Sequence, residues 1–478
     1  MSRDDPRDKR IAELEGQLAE RDQLIASFKA HIDVLTARVA ELEGQLGRNS
    51  SNSSKPPSSD PPGTRRKEPS STGRKRGGQP GHPGAKRELL PLEQVDEVKR
   101  YIPKRCGQCR THLHGEDPAP LRHQVTEVPP IKPVVTEYQC HALTCEQCGA
   151  VTRAELPPDV PSGAFGPRLT AMAAVCTGAY RMPKRIVQEL LSAFLGVELS
   201  LGSVSKLEQR VSASVAEAVE AARRFVRSSR HVHLDETGWT EEKHRAWLWV
   251  AATPLVSVFE VVRSRGKEVA QRMLGLDFAG TASSDRWCAY NWLHVLRRQV
   301  CWAHLLREFQ GFVDRGRVCK KYGQMLLDEM AVAFEWWHRA RDGTITRRTF
   351  QRKMRPLMRE VGRLLREAAV RLPRKQAGTC QEILKLEAAM WTFVYVEGID
   401  PTNNRAERAL RPAVIWRKGS FGTDSQNGSR FVERILTVVS TLRSQGRNIL
   451  EFLTAAGNAA LGQCSAQSLL PAQPTSRS

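Results

Sequence analysis

HVHLDETGW, residues 231–239, is where this sequence stops reading as helix and starts reading as sheet. Before it, apolar residues recur at helical spacing. From His231 they come in short runs rich in Val, Trp and Phe: HVHLD (231–235), RAWLWVAAT (245–253) and VSVFEVVRS (256–264), the last two separated by a Pro-Leu turn. Such runs, bounded by turn residues, predict three successive strands in a meander. A helix is expected from about Gly266 to Leu274, then a short strand near Gly280 to Ser284 that ends on Asp285 in TASSDRW (281–287). A further segment, 298 to 309, begins as strand and turns helical, Lys320 to Met390 is amphipathic helix, and the core resumes at Thr402 to Pro412.

This layout puts Asp235 and Asp285 at strand ends, where side chains project from a sheet edge. Two carboxylates from neighbouring strands can bridge divalent cations, and a third from a helix completes a site for two ions about 3.5 to 4 Å apart. Glu407 in PTNNRAERALRP (401–412) is the candidate third. Hard oxygen ligands of this kind suit Mg2+ or Mn2+ rather than zinc. Glu236 rivals Asp235, but adjacent side chains on a strand face opposite ways, so only one of the two is expected to join. Each acid alone also has an innocent reading. A strand-end Asp is usually a turn residue, and Glu407 fits a capping box with Asn404 or an i,i+4 ion pair with Arg411. What points to chemistry is the order: strand Asp, later strand Asp, then a helical acid, all in a very basic chain.

Lys and Arg number 73 against 52 Asp and Glu, giving a net charge of +21 and an isoelectric point near 9.8. Such a field attracts polyanions and releases counterions on contact, so nucleic acid is the default partner. No run of apolar residues approaches the length that spans a bilayer, so no membrane partner is expected. The charged start, MSRDDPRDKR, lacks the features of a signal peptide and reads as a cytoplasmic protein. GxxxxGK[ST] is absent, which agrees with chemistry that needs no ATP.

Working toward the N-terminus, Gly166 to Gly178, Pro183 to Leu195 and Ser203 to about Phe225 read as three helices. The connection GVELSLGS resembles a helix-turn-helix elbow, which would bring Lys206 and Arg210 toward a DNA groove; a bundle without a DNA role fits the same pattern. Cys106-x2-Cys109 and Cys145-x2-Cys148 suit tetrahedral Zn2+. The spacer between the pairs is long, and His112, His114, Cys140 or His141 could replace a ligand; one redox-active CxxC pair is the alternative. Residues 48–97 are rich in Ser, Pro and Gly and read as a disordered basic linker whose clusters, Arg65-Arg66-Lys67 and Arg74-Lys75-Arg76, either track phosphates or merely solubilise. Ile11, Leu18, Ile25, Ile32, Val39 and Leu46 keep one heptad position and Leu14, Phe28, Leu35 and Leu42 the other, interrupted by Arg21. That repeat predicts a parallel two-stranded coiled coil and hence a homodimer, against a single amphipathic helix lying on the body.

Taken together, these stretches resemble the insertion-sequence transposases of the IS-sixty-six group, which carry an RNase H-like core with an Asp-Asp-Glu triad. The matching motifs are NSSNSSKPPSSD (49–60), GGQPGHPG (77–84), the double CxxC, DET (235–237), CWAH (301–304) and TNNRAERALRP (402–412), in the family's order and across almost the whole chain. The resemblance implies a multidomain α+β chain. Its parts are a coiled coil (8–47), the linker, a zinc module (98–155), a helical DNA-binding region (160–228), an RNase H-like core (229–455) with a helical insertion at about 315–398, and a disordered tail (465–478). It implies a transposase that cuts element ends and joins them to target DNA using two Mg2+ or Mn2+ ions held by Asp235, Asp285 and Glu407, with helper proteins encoded beside it. It also brings His304 near the site, a structural histidine packed by Trp302 being the alternative, and assigns Asn403, Asn404, Arg408 and Arg411 to orienting Glu407 or holding phosphates. The pattern departs at SSDRWCAY, where Arg286 and Trp287 replace the family's Gly and aromatic. A non-catalytic zinc and helix-turn-helix regulator, or a nuclease that cuts without joining, are the competing functions.

Overall fold

The computed structural model describes residues 6–53, 60 and 87–471. Helix α1 (Pro6–Leu46) is continuous over 41 residues, about 60 Å at 1.5 Å per residue. All ten heptad apolar side chains named above are exposed on it. Within the span read as linker, residues 48–53 and 60 form a hydrogen-bonded turn: Asn52 Nδ2 donates to Gly47 O at 2.9 Å and Ser50 N to Asp60 Oδ1 at 2.7 Å. This turn meets the body closely enough that a Cβ on Gly311 would lie 2.5 Å from the Asn52 carbonyl oxygen. The basic clusters at 65–67 and 74–76 and the stretch 77–84 lie outside the described residues.

Residues 98–155 are mostly extended chain with no buried residue, and hold one antiparallel hairpin, β1 (Ala142–Thr144) with β2 (Val151–Arg153). Next come α2 (Pro167–Ala174), which loosens into a π-helical turn at Val175–Ala179, then α3 (Lys184–Leu195), α4 (Leu201–Ser214) and α5 (Ala216–Arg227). The single helix expected from Ser203 is therefore two. It starts earlier because Ser200 caps it, accepting from Ser203 N at 3.1 Å, and it breaks at Val215, where ψ opens to 3°.

The expected meander is present as β3 (His231–Glu241), β4 (His244–Ala252) and β5 (Ser257–Val262), all antiparallel. After α6 (Lys267–Leu274), β6 (Thr281–Ser284) and β7 (Arg298–Val300) add in parallel on the other side of β3, so the order is β5-β4-β3-β6-β7. From β7 the chain enters α7 (Trp302–Asp314), α8 (Arg317–Arg341), α9 (Arg347–Arg371), α10 (Arg374–Leu384) and the short α11 (Glu387–Met390) and α12 (Thr392–Tyr395). These helices bury their own core, including Phe309, Leu326, Met330, Phe350 and Leu364. Their return is stitched to β7: Thr392 Oγ1 donates to Arg298 O at 2.6 Å and Phe393 N to Gln299 Oε1 at 2.8 Å. The long excursion therefore ends where it began, beside the sheet.

Three helices close the molecule: α13 (Asn404–Ser420), α14 (Gln426–Ser444) and α15 (Ile449–Ala460). Side chains of α13 (Ala406, Leu410, Ala413) pack on one face of the sheet with Trp239, Leu248, Val250 and Phe259. The opposite face, with Val232, Leu234, Trp249 and Ala251, shares one core with α2, α4–α6, α14 and α15. The helices around 167–227 are thus packed into the sheet's own core. Helix α14 also covers the exposed edge of β5: Val261 N donates to Glu433 Oε1 (2.8 Å), Phe259 N to Thr437 Oγ1 (3.1 Å) and Ser257 N to Thr441 Oγ1 (3.1 Å). Four residues of helix rise about 6 Å and two of strand about 6.7 Å, so the two repeats match, and the edge is closed to further strand pairing. The tail differs from expectation up to residue 471. Leu469 is buried, and Gln445 and Arg447 donate to the carbonyls of Leu469 and Ser468. Residues 472–478 lie outside the described residues.

Candidate active site

Asp235 does not end its strand, as the sequence suggested; β3 continues to Glu241, paired to β4 throughout. What ends beside Asp235 is the parallel pairing with β6, whose last partners are His233 and Ser283. Extending that register by two residues sets Asp235 opposite Asp285, just past the end of β6. The strand end therefore belongs to the neighbour, and the consequence for the two carboxylates is the same.

Alternation along β3 sorts the rest. His233, Asp235 and Trp239 face α13, whereas Leu234 and Glu236 face the opposite core. Helix α13 is fixed to β3 by Asn403, the residue before its first turn. Asn403 Nδ2 donates to Leu234 O at 2.6 Å, so its Oδ1 is the acceptor for His233 Nδ1 at 3.1 Å. Burial pushes His233 down to about 3, leaving it neutral with its proton on Nδ1. This anchor aims the first turn of α13, and Glu407 with it, at Asp235.

Asp235, Asp285 and Glu407 are near enough to act on one another's charge, although their oxygens do not all lie within 4.8 Å of one another. Burial raises the Asp235 carboxyl well above the usual range, and the nearby Glu236, Asp285 and Glu407 raise it further. Burial also raises Asp285, against the pull of the Trp287 N–H bond and of Arg265, Arg298 and Arg286. Acids that hinder one another's ionisation in a recess are what a bound divalent cation relieves. Glu407 itself makes neither innocent contact: Asn403, not Asn404, holds the N-cap position of α13 and makes no side-chain capping bond, no ion pair joins Glu407 to Arg411, and buried Oε1 of Glu407 has no hydrogen-bond partner. The orphaned Oε1 is an atom that a divalent cation would satisfy.

Glu236 has a different task. It accepts from Tyr290 Oη and from Arg265 (Nη2 at 2.8 Å, Nε at 2.9 Å), and Arg265 lies between the rings of Trp247 and Trp287. Trp287, where the sequence departs from the family pattern, therefore clamps the arginine that holds Glu236, and Arg286 approaches Glu308 on α7 at 3.4 Å. Arg298 was not singled out in the sequence. Fully buried, it donates to Asp285 O (2.8 Å), Ser284 Oγ (3.2 Å) and Asn291 Oδ1 (2.9 Å), fixing the backbone that carries Asp285.

The remaining sequence candidates separate. His304, in the first turn of α7, lies 3.8 Å from Glu407, and burial with Arg307 and Arg286 pushes it down to about 3, so the pair is not ionic. Asn404, Arg408 and Arg411 are exposed on α13, and none hydrogen-bonds Glu407. Arg408, with Arg405 and Arg443, lines a groove of about 280 Å³ between α13 and α14. Lys206 and Arg210 are exposed on α4. The two CxxC turns are built alike: Arg110 N donates to Cys106 O and Gly149 N to Cys145 O, each donor residue having positive φ. Cys109 is drawn down to about 7 by its hydrogen bonds with Thr111 and Cys106, but the four sulfurs do not converge within 4.8 Å.

Glu236 yields a pH prediction. Burial and Asp285 raise its carboxyl from an ordinary 4.5 to about 7, so between those values the folded chain holds a proton that the unfolded chain has lost. Stability must then fall as pH rises through that window. In chelator, thermal unfolding of wild type should decline relative to Glu236→Gln from about pH 4.5 to about 7 and run parallel above it. Parallel curves throughout would refute the assignment.

Residues 162–430 match the family described as Transposase IS66 family, and residues 3–88 match a family of unknown function. The chain is also similar to two uncharacterized proteins of Sinorhizobium fredii. It is 24% identical to y4qI over 398 residues (76% of this chain, 72% of that protein) and 22% identical to y4hP over 374 residues (71% and 66%). No helix among the described residues is long and apolar enough to cross a membrane. Matched over more than half of its length, the chain belongs to the IS66 transposase family.

Proposed function

We propose that this protein is a DNA transposase of the Asp-Asp-Glu type, which cleaves the ends of its insertion element and joins them to target DNA. The observation that carries the reading is the placement of Asp235 opposite the end of β6, where Asp285 follows, with Glu407 in the first turn of α13 near enough to raise Asp235 and its buried Oε1 without a hydrogen-bond partner. An antiparallel meander extended by two parallel strands, with a helix-borne acid returning after a helical insertion, supports an RNase H-like core. Asp235 and Asp285 would hold two Mg2+ or Mn2+ ions with Glu407. Such ions lower the pKa of an attacking water and stabilise a departing oxyanion.

The chain's own part is positional. Asp235 and Asp285 are held in register by β3 and β6, Asn403 sets the aim of Glu407, and Arg298 fixes the backbone of Asp285. Exposed Arg408, Arg411 and Asn404 on α13 and Lys206 and Arg210 on α4 are suited to phosphate contacts. In the first step water oxygen bonds to phosphorus as the element's 3′ oxygen leaves. In the second, that 3′ hydroxyl replaces water and attacks target DNA, releasing a new 3′ oxygen. Purified protein with Mg2+ or Mn2+ and element-end DNA, assayed for nicked and joined products, tests this. Specific binding with no cleavage under any metal or helper would favour the regulator, and cleavage without joining would favour the nuclease.

The matching geometry of the two CxxC turns supports Cys106, Cys109, Cys145 and Cys148 as Zn2+ ligands, a set that the two turns would have to approach one another to complete. The exposed stripe of α1 supports a parallel coiled-coil homodimer that holds two element ends together, acting on cytoplasmic DNA with helper proteins. Deleting residues 1–46 should convert a dimer to a monomer in light scattering. A deletion variant that stays dimeric would move the interface elsewhere.

A further inference from the structure

We infer that Cys301, His304 and Glu407 form a second metal site, selective for thiophilic divalent cations of the Zn2+ class, and that filling it withdraws Glu407 from Asp235 and Asp285. Sγ of Cys301, a ring nitrogen of His304 and a carboxylate oxygen of Glu407 all lie within 4.8 Å of one another, and neither aspartate belongs to the group. Among the described residues no other cluster of possible ligands is this tight.

The local fold explains the convergence. Cys301 is the residue before α7 and His304 lies in its first turn, so the C-x2-H spacing turns both toward one point; Glu407 arrives from the first turn of α13. Two of the three donors are orphans: His304 Nδ1 and Glu407 Oε1 are buried, have no hydrogen-bond partner and sit 3.8 Å apart, too far for a bond to each other. A buried polar atom left without a partner is costly, and a shared cation removes that cost at both. The third donor is already dressed as ligands usually are: Asn403 N donates to Cys301 Sγ at 3.1 Å.

The chemistry of the set decides the ion. A thiolate, an imidazole and one carboxylate select Zn2+ or Co2+ over Mg2+, which prefers an all-oxygen octahedron. Three protein ligands leave the fourth tetrahedral position for water. On binding, the Cys301 S–H bond breaks, sulfur bonds the metal and the proton passes to solvent; no oxidant or reductant is involved. Because Glu407 serves both sites, the regulatory half of the inference rests on the triad assigned above, whereas the binding half does not.

Co2+ is the probe for the binding half. Full-length protein in which Cys106, Cys109, Cys145 and Cys148 are all changed to Ser should still take up one Co2+ and show a thiolate-to-cobalt charge-transfer band. Adding Cys301→Ser to that background should abolish the band and weaken binding about tenfold or more, with circular dichroism confirming the fold. His304→Ala should weaken binding while keeping the band. A four-Ser protein that binds Co2+ without a charge-transfer band overturns the site. For the regulatory half, Zn2+ added to Mg2+-supported end cleavage should inhibit wild type, and Cys301→Ser should need about tenfold or more Zn2+ for the same inhibition. Equal inhibition of both overturns the regulation. A protein that binds Co2+ as described yet cuts no DNA in Mg2+ would strike the transposase reading and leave the metal site standing.

Discussion

Glu407→Gln should bind element ends like wild type and lose about a thousandfold in cleavage and joining, equivalent to about 4 kcal/mol of transition-state stabilisation. The substitution is nearly isosteric and removes only the charge. Because the side chain makes no hydrogen bond at Oε1 and no ion pair with Arg411, little folding energy is at stake, and its loss should appear in chemistry rather than in stability. Three readouts separate the possibilities. Single-turnover cleavage of an intact end should fall by the same factor as joining of a pre-nicked end, since both steps use the same carboxylates. Thermal unfolding in chelator should be unchanged or slightly raised, because one of the charges that lifts Asp235 is gone. The stabilisation that Mn2+ confers on wild type should shrink. If Glu407→Gln cuts at a normal rate, the third acid lies elsewhere and the triad assignment falls.

Much of this architecture was legible because its signals are local. The Val- and Trp-rich runs from 231 to 264 could hardly be anything but strands, and the acids stood out by their order along the chain. The position of Asp235 within its strand was misread for a nonlocal reason: β6 is shorter than β3, and only their pairing shows that the edge lies at residue 284. The N-cap position of α13 falls on Asn403 rather than Asn404, and no side chain caps it because Asn403 spends its amide on β3, a choice invisible until the strand is there. The edge cover of β5 by Glu433, Thr437 and Thr441 looks in sequence like any polar helix face. The buried tail at Leu469 follows from two leucines finding a gap beside α14 and α15, which no compositional rule anticipates. Glu236 was rightly set on the opposite face of β3, yet it still bears on the site, because Arg265 and Tyr290 hold a charge close enough to raise Asp235.

Arg298 was the costliest omission, and its removal should be correspondingly costly. Arg298→Met is expected to destabilise the core by about 3 to 5 kcal/mol in urea unfolding. The guanidinium is fully buried; burial lowers it to about 10, still charged at neutral pH. It is retained by three hydrogen bonds and by the Tyr290 ring 5.7 Å away. Methionine fills part of the volume but leaves Asp285 O, Ser284 Oγ and Asn291 Oδ1 without their donor, at about 1 to 3 kcal/mol for each group that water cannot reach. It also removes a positive charge that holds Asp285 down, so the Asp285 carboxyl should rise further and compete less well for metal at low pH. Activity should therefore fall in the variant even under conditions where it is fully folded, since displacement of a reacting group by about 1 Å can cost a hundredfold. Raising the pH should recover part of that loss, because a deprotonated Asp285 regains its affinity for the cation, whereas a purely mechanical defect would be indifferent to pH. If Arg298→Met proves as stable as wild type, with the same pH profile, the buried charge is a passenger and Asp285 is held by β6 alone.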